Sequence, residues 1–247
     1  MTDEKQTSPL GYALAYLAFA AIFSLILLLM IFIISHISKN CSEAADAVSP
    51  EEEKSIVVVI DAGHGGEDGG ASDKSGNLEK DLNLAMAKKL EELFASAGIK
   101  TLMTRSEDKL LYDPNTYYHG RKKILDMRER VKIVNECDNP ILISIHMNAF
   151  PEDEYRGLQV YYSVNDPASE KIAEGVQTTV HSLIQKENKR KIKQGKDIFL
   201  LDRINVPAVL VECGFLSNPD EAALLNDEEY QDMLVFCIFH AVISEIQ

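Results

Sequence analysis

The stretch that decides the fold is Ile56–Ala71, with the sequence IVVVIDAGHGGEDGGA. Its first five residues are all apolar and β-branched, which predicts a strand buried on both faces, as in the interior of a parallel α/β sheet. The five glycines that follow exclude regular structure and let another group approach the backbone closely. Neither GxGxxG nor GxxxxGK[ST] is present, so a nucleotide loop is not indicated. We interpret His64, the single histidine of this loop, as a metal ligand or an acid/base group.

Strands and helices alternate along the chain beyond this stretch. Helices are predicted from about Glu79 to a C-cap at Gly98, and at Arg121–Cys137, Pro167–Glu187 and Glu228–Ile246. Further strands are predicted at Ile99–Thr104, Ile141–Ala149, Gly157–Ser163, Ile198–Leu201 and Val206–Glu212. The sequence therefore predicts an α/β fold, a three-layer sandwich with a mixed, mainly parallel central sheet.

The amino-terminal part of the chain differs in kind from the rest. Residues 1–10 form a short tail, and residues 11–37 contain no Asp, Glu, Lys or Arg. That run exceeds the roughly 20 apolar residues that cross a bilayer as a helix, so we expect one transmembrane anchor there. Residues 38–54 are small, polar and acidic and predict a tether. Residues 55–247 remain for one globular domain.

The charge of the chain restricts its partners. The net charge is −14, which makes nucleic acid an improbable partner. The only cationic cluster, Lys189–Lys193, is interpreted as a solvated turn. The cysteines at 137, 213 and 237 form no CxxC pair and are expected to be small buried residues, neither a disulfide framework nor a zinc finger.

Three apolar strands end in polar groups. Asp61 and His64 follow the first strand, His146 ends the second, and Glu212 ends VPAVLVE. Because the carboxyl ends of strands in an open α/β sheet share one edge, these groups can converge. Glu79, at the start of the next helix, adds a second carboxylate.

Two histidines and two glutamates are the side chains that a catalytic zinc site needs. Two imidazoles and one carboxylate hold the ion and leave a position for water, whose pKa the metal lowers. The second carboxylate is then available to carry the proton. One ambiguity stays open at this point, because His64 and Glu67 also form HxxE, the local pattern of zinc carboxypeptidases. Either Glu67 or Glu79 could therefore supply the carboxylate ligand.

Five blocks of the sequence resemble one known family. IDAGHGGEDGGA, LEKDLNLAMAKKL, the pair Thr104 and Arg105, SIHMNA and VECGFLSNPDEAALL occur in the order found in zinc-dependent N-acetylmuramoyl-L-alanine amidases of type 3. The resemblance implies hydrolysis of the amide between N-acetylmuramic acid and L-alanine in peptidoglycan. It also implies one Zn²⁺ ion held by His64, Glu79 and His146, with Glu212 as the catalytic carboxylate, and glycines that leave room for a bulky glycopeptide.

Three further residues are assigned supporting roles. Asp61 is expected to steady His64, while Arg130 and Asn148 are expected to support the site or contact substrate.

A narrower resemblance is to the germination-specific members of this family from spore-forming bacteria. It rests on the anchor joined directly to the catalytic domain and on GRKKILDMRERVKIVN. It implies removal of stem peptides from spore cortex for muramic lactam formation, paired with a peptidoglycan deacetylase and open to an activator protein. It also implies a single-pass membrane protein whose catalytic domain lies outside the cytoplasm, in the forespore or cell envelope.

Two other functions compete with this one. The first is a zinc carboxypeptidase-like peptidase that uses His64, Glu67 and His146. The second is a catalytically inert, membrane-tethered protein that binds the wall.

Overall fold

The computed structural model describes residues 21–36, 55–112, 115 and 121–246, and the chain separates into two units, Met1–Glu53 and Lys54–Gln247. In the first unit residues 21–36 form helix α1, whose apolar side chains are exposed. Among the described residues we find no helix that combines the length and the apolar character needed to cross a membrane. The predicted span 11–37 lies only partly within the described residues, and the tether 38–54 lies outside them.

The second unit contains six strands, five α-helices and one 3₁₀-helix within its described residues. The strands are β1 (Val57–Ala62), β2 (Lys100–Met103), β3 (Pro140–Asn148), β4 (Gln159–Tyr162), β5 (Lys193–Gln194) and β6 (Ala208–Phe215). The α-helices are α2 (Glu79–Ser96), α3 (Lys122–Asn135), α4 (Ala168–Leu183), α5 (Pro219–Leu225) and α6 (Glu228–Ile246), and the 3₁₀-helix is η1 (Leu201–Arg203).

The six strands form one sheet in the order β2-β1-β3-β6-β4-β5. All neighbouring pairs are parallel except β4 with β6, which is antiparallel. The predicted mixed, mainly parallel α/β sheet is therefore confirmed. The three central strands, β1, β3 and β6, are almost entirely buried, as their continuous apolar runs predict.

Both faces of the sheet are covered, but unequally. The larger core lies on the face packed by α2, α4 and α6 and includes Val58, Ile143 and Val211. The smaller core lies on the opposite face, where α3 and η1 cover Val59 and Leu142. This second face is the one that carries Asp61, His146 and Glu212, because side chains alternate along each strand.

One predicted strand is wrong. Residues 198–200 form a turn that leads into η1, which begins at Leu201, and the amide of Asp202 donates to the carbonyl of Ile198 at 3.0 Å. Leu200 and Leu201 are buried in the smaller core, so the apolar pattern reflects burial of a turn. The strand of this region is β5, which begins at Lys193, the last residue of the basic stretch for which we predict a solvated turn.

The last central strand also differs from its prediction. It continues through Phe215 instead of ending at Glu212, and a register shift against β3 accommodates the extra length. Cys213 and Cys237 are buried as expected, whereas Cys137 is only partly buried, because it follows the exposed end of α3.

Candidate metal centre

The polar ends of the central strands meet at one edge of the sheet. In the parallel register Ala62 of β1 lies beside Ile145 of β3, and His146 lies beside Glu212 of β6. His64 follows β1 by two residues, and Glu79 opens α2 after the glycine loop returns to the sheet. The edge therefore brings together two histidines and two glutamates that are far apart in sequence.

Glu79 is the point on which both histidines converge. Its Oε1 lies 3.1 Å from Nε2 of His64 and 2.9 Å from Nδ1 of His146, and it also accepts the amide of Met147 at 3.1 Å. Its Oε2 accepts the amide of Ala71 at 2.8 Å, which ties the helix start to the loop. His64, Glu79 and His146 are the group within the described residues that can hold a metal ion.

The separations of Glu79 Oε1 from the two histidine nitrogens suit a small cation. Two ligands at 2.0–2.1 Å from a tetrahedral ion lie roughly 3.3 Å apart, close to the separations found here. Burial alone would raise the pKa of Glu79, but its contacts with His146 and His64 hold that pKa well below its ordinary value. Burial would lower the pKa of His64, yet Glu79 and Asp68 raise it. The carboxylate of Glu79 is thus ionised, and the site favours binding of a cation.

Two glycines of the loop make room for the ligands themselves. A Cβ on Gly63 would lie 2.2 Å from the His146 ring. A Cβ on Gly70 would lie 2.4 Å from Oε2 of Glu79, and Gly70 has a φ of +69°. At these two positions, the space predicted to admit a glycopeptide is therefore filled by His146 and Glu79.

His64 is held in an unusual backbone conformation. Its φ is 62°, a left-handed value that non-glycine residues adopt mostly where the surroundings enforce it. The surroundings here are Arg130, whose Nη2 donates to the His64 carbonyl at 2.6 Å, and Asp68, whose Oδ2 lies 2.9 Å from Nδ1 of the ring. Asp68 was not singled out in the sequence, although a carboxylate four residues after a candidate ligand is a usable signal.

Asp61 and Arg130 form the buried frame beneath the loop, and both are 1% exposed. Asp61 accepts hydrogen bonds from Ser144 at 2.6 Å and Thr104 at 2.7 Å and pairs with Arg130. Burial would raise the pKa of Asp61, but Arg130 and these hydroxyls lower it to about 2. Asp61 thus supports His64 through Arg130, which is itself fully buried.

Glu212 stands next to His146 on the same face of the sheet. Its Oε2 is buried and has no hydrogen-bond partner among the described residues. Burial raises the pKa of Glu212 to about 7, with His146 opposing the rise and Glu79 adding to it. A carboxylate with such a pKa exchanges protons readily near neutral pH.

Glu67 and Asn148 are not among the three residues that can hold the ion. Glu67 points to the surface with 71% of its side chain exposed, and Nζ of Lys122 donates to it at 2.6 Å. Asn148 ends β3, where its carbonyl accepts the amide of Leu216 at 2.8 Å, and we see no side-chain hydrogen bond to it within the described part of the chain.

Comparison with known proteins gives one consistent answer. The sequence model of the Amidase_3 family, N-acetylmuramoyl-L-alanine amidase, matches residues 58–244. The germination-specific N-acetylmuramoyl-L-alanine amidase of Bacillus subtilis is 35% identical over 187 residues, which is 76% of this chain and 78% of the relative.

Solved structures agree with the sequence matches. The CwlD amidase from Clostridioides difficile, in complex with the GerS lipoprotein, aligns with a TM-score of 0.73 at 36% identity, covering 77% of this chain and 98% of that one. The N-acetylmuramoyl-L-alanine amidase from Clostridium difficile 630 aligns with a TM-score of 0.68 at 31% identity, covering 78% and 98%.

Proposed function

Because this chain belongs to the N-acetylmuramoyl-L-alanine amidase family, we propose that it is a zinc-dependent amidase that removes stem peptides from spore cortex peptidoglycan. The observation that carries the proposal is the convergence of His64, Glu79 and His146, with Glu212 beside them on the open edge of the sheet. Two neutral imidazoles and one carboxylate are the protein ligands typical of catalytic zinc.

His64, Glu79 and His146 would hold the ion, which would supply a Lewis acid at the carbonyl. Glu212 accepts a proton from the attacking water as the water oxygen bonds to the carbonyl carbon of the lactyl group. The carbon–nitrogen bond then breaks, and Glu212 returns the proton to the departing amine of L-alanine. Arg130 and Asp68 fix His64 in place throughout, and Gly63 keeps the His146 ring close to the loop.

The two competing functions have less support. A carboxypeptidase-like site would need Glu67 as a ligand, and Glu67 is instead exposed and paired with Lys122. An inert wall-binding protein has no need of a buried carboxylate without a partner beside three convergent ligands, and burying such a group carries a free-energy cost.

The spore-cortex role rests on the relatives. One is named germination-specific, and the CwlD amidase is found in a complex with the GerS lipoprotein. We extend both to this chain as proposals: cortex as the substrate, a lipoprotein partner, and a deacetylase that acts on the same glycan. The uncharged run 11–37 supports an anchor that holds the catalytic domain on the outer side of the membrane, in the forespore or cell envelope.

A single digestion tests bond, substrate and metal together. The full-length chain is incubated with cortex and with vegetative peptidoglycan, with zinc or with a chelator, and the products are identified by mass spectrometry. We expect free peptides that begin with L-alanine and muramic acid that has lost its peptide, only with zinc and mainly from cortex. Loss of single carboxyl-terminal residues would instead indicate a carboxypeptidase, and unchanged material an inert protein.

A further inference from the structure

The face of the sheet that carries Glu212 continues into polar residues that hydrolysis does not use. Gln159 of β4 is the register partner of Glu212, and Lys193 of β5 is the partner of Tyr161. Register partners point to the same face, so Gln159 and Lys193 face the side of the candidate metal centre. Arg190 is hydrogen-bonded to Gln159, and we call Gln159, Arg190 and Lys193 together the outer row.

Arg190 is held in one place by three contacts. Its Nε donates to the carbonyl of Arg156 at 2.7 Å, and its Nη1 donates to Oε1 of Gln159 at 3.2 Å. Its guanidinium carbon lies 4.4 Å from the ring centroid of Phe215. Gln159 is only 3% exposed and donates to the carbonyl of Lys191 at 2.8 Å, which turns its amide oxygen toward Arg190.

The irregular end of β6 places Phe215 on the same face of the sheet as Glu212. His146 pairs with Glu212, but Asn148 pairs with Phe215, so three steps along β6 match two along β3. Such a bulge re-aims a side chain that would otherwise point to the opposite face. Phe215 therefore supports Arg190 from the same face as the candidate catalytic carboxylate.

Arg190 still has donors to offer. A guanidinium carries five N–H groups, and only two of them have partners within the described part of the chain. The side chain is partly exposed, and it is a fixed cation in a chain of net charge −14. A planar fork of this kind is suited to binding a carboxylate through two hydrogen bonds.

The position of Arg190 matches a particular part of the substrate. Gln159 lies one strand spacing, about 4.8 Å, from Glu212, and Arg190 lies just beyond Gln159. A peptide advances about 3.3–3.6 Å per residue, so the second residue of the stem can reach the outer row. We propose that Arg190 binds a free carboxylate on the stem residue after L-alanine and thereby selects stems that carry an acid there, an inference that rests on the proposed amidase function.

Two substrates that differ in one group test this proposal. They are N-acetylmuramoyl tetrapeptides whose second residue is γ-linked D-glutamate or D-isoglutamine, in which an amide replaces the carboxylate. We expect the zinc-loaded full-length chain to cleave the acid with a kcat/KM roughly 10- to 100-fold higher than the amide. Arg190→Gln removes that preference by slowing cleavage of the acid alone, whereas Arg190→Lys keeps part of it.

Arg203→Gln is the matched control. Arg203 also stacks on a phenylalanine, 3.7 Å from the Phe199 centroid, and donates to that residue's carbonyl at 3.2 Å, but it belongs to η1. Arg203→Gln should therefore leave the preference for the acidic substrate over the amide unchanged. Binding of the two free tetrapeptides to wild-type protein, measured by calorimetry, should show the same preference without any variant.

The outcomes separate the two proposals. Equal loss on both substrates in Arg190→Gln, or equal binding of both peptides by the wild type, would overturn the role of Arg190 and leave the amidase standing. Failure of the wild type to cleave either substrate would overturn the proposed function, and this inference with it.

Discussion

The candidate metal centre and the outer row share one face of one sheet, yet they are built in opposite ways. At the metal centre Glu79 contacts both histidines, and the pair of Asp61 and Arg130 beneath the loop is fully buried. In the outer row a single partly exposed guanidinium, on Arg190, keeps most of its donors available. The contacts at the metal centre fix the positions of its side chains, whereas the remaining donors of Arg190 are available to bind a substrate.

This difference separates two tasks of an enzyme. Positions that must hold a reacting group benefit from buried, over-determined contacts, because small displacements are costly to catalysis. Positions that choose between substrates need unused donors that only the right partner satisfies. Changes at the metal centre should therefore affect every substrate alike, whereas changes in the outer row should affect some substrates more than others.

The largest effect is expected from Glu79→Ala. This change removes the oxygen that lies within 3.1 Å of both histidines, so bound zinc and activity should both be lost. Glu67→Ala is the control, because Glu67 pairs with Lys122 at the surface and should keep full zinc content. Metal analysis of the two purified proteins decides the matter. Zinc retained by Glu79→Ala would remove Glu79 from the ligand set.

Glu212→Gln should slow turnover by on the order of 10²- to 10⁴-fold while zinc remains bound. The same change should stabilise the metal-free protein above pH 7. The native pKa of about 7 exceeds the ordinary value of 4.5, so the ionised carboxylate lowers stability as the pH rises through this range. Thermal unfolding at pH 8 and at pH 4.5 measures this gain, which should vanish at the lower pH. A fully active variant would contradict the assigned role.

Asp61→Asn tests what the buried pair of Asp61 and Arg130 contributes to the stability of the fold. Because the pKa of Asp61 is lowered to about 2, its ionised form contributes about 2 kcal/mol at neutral pH, and this contribution is lost as the pH falls from about 4 to 2. Urea unfolding of the metal-free protein should show the loss at pH 7 and little of it at pH 2. Glu67→Gln, at an exposed ion pair, should change the free energy of unfolding by less than about 1 kcal/mol.

The smallest effect is expected from Asp68→Asn. Its carboxylate lies 2.9 Å from Nδ1 of His64, and loss of a carboxylate that supports a metal-bound histidine typically costs 10- to 100-fold in metal affinity or activity. Zinc competition with a calibrated chelator measures the affinity. Unchanged affinity would show that Arg130 alone is sufficient to hold His64.

The sequence predicts those features that depend on local signals. Continuous apolar runs predicted the buried strands, and the polar residues that follow them predicted where His64, His146 and Glu212 would meet. Ile198–Leu201 misled the prediction because its apolar residues fill the smaller core from a turn. An apolar pattern reports burial more reliably than it reports the type of backbone.

The remaining features depend on contacts between distant segments. The bulge that turns Phe215 toward Glu212 exists only in the pairing of β3 with β6. Arg190 belongs to a basic stretch with no special pattern, and its position becomes meaningful only through Gln159, 31 positions away. The sequence predicts that the glycines at 63 and 70 leave room for the substrate, but the spaces beside them hold His146 and Glu79.

The central claim is that one zinc ion sits between His64, Glu79 and His146, and anomalous X-ray diffraction at the zinc edge tests it most directly. Crystals of the zinc-loaded protein should show a single strong peak within about 2.0–2.2 Å of Nε2 of His64, Oε1 of Glu79 and Nδ1 of His146. A peak at Glu67, or the absence of any peak between the two histidines, would contradict the account.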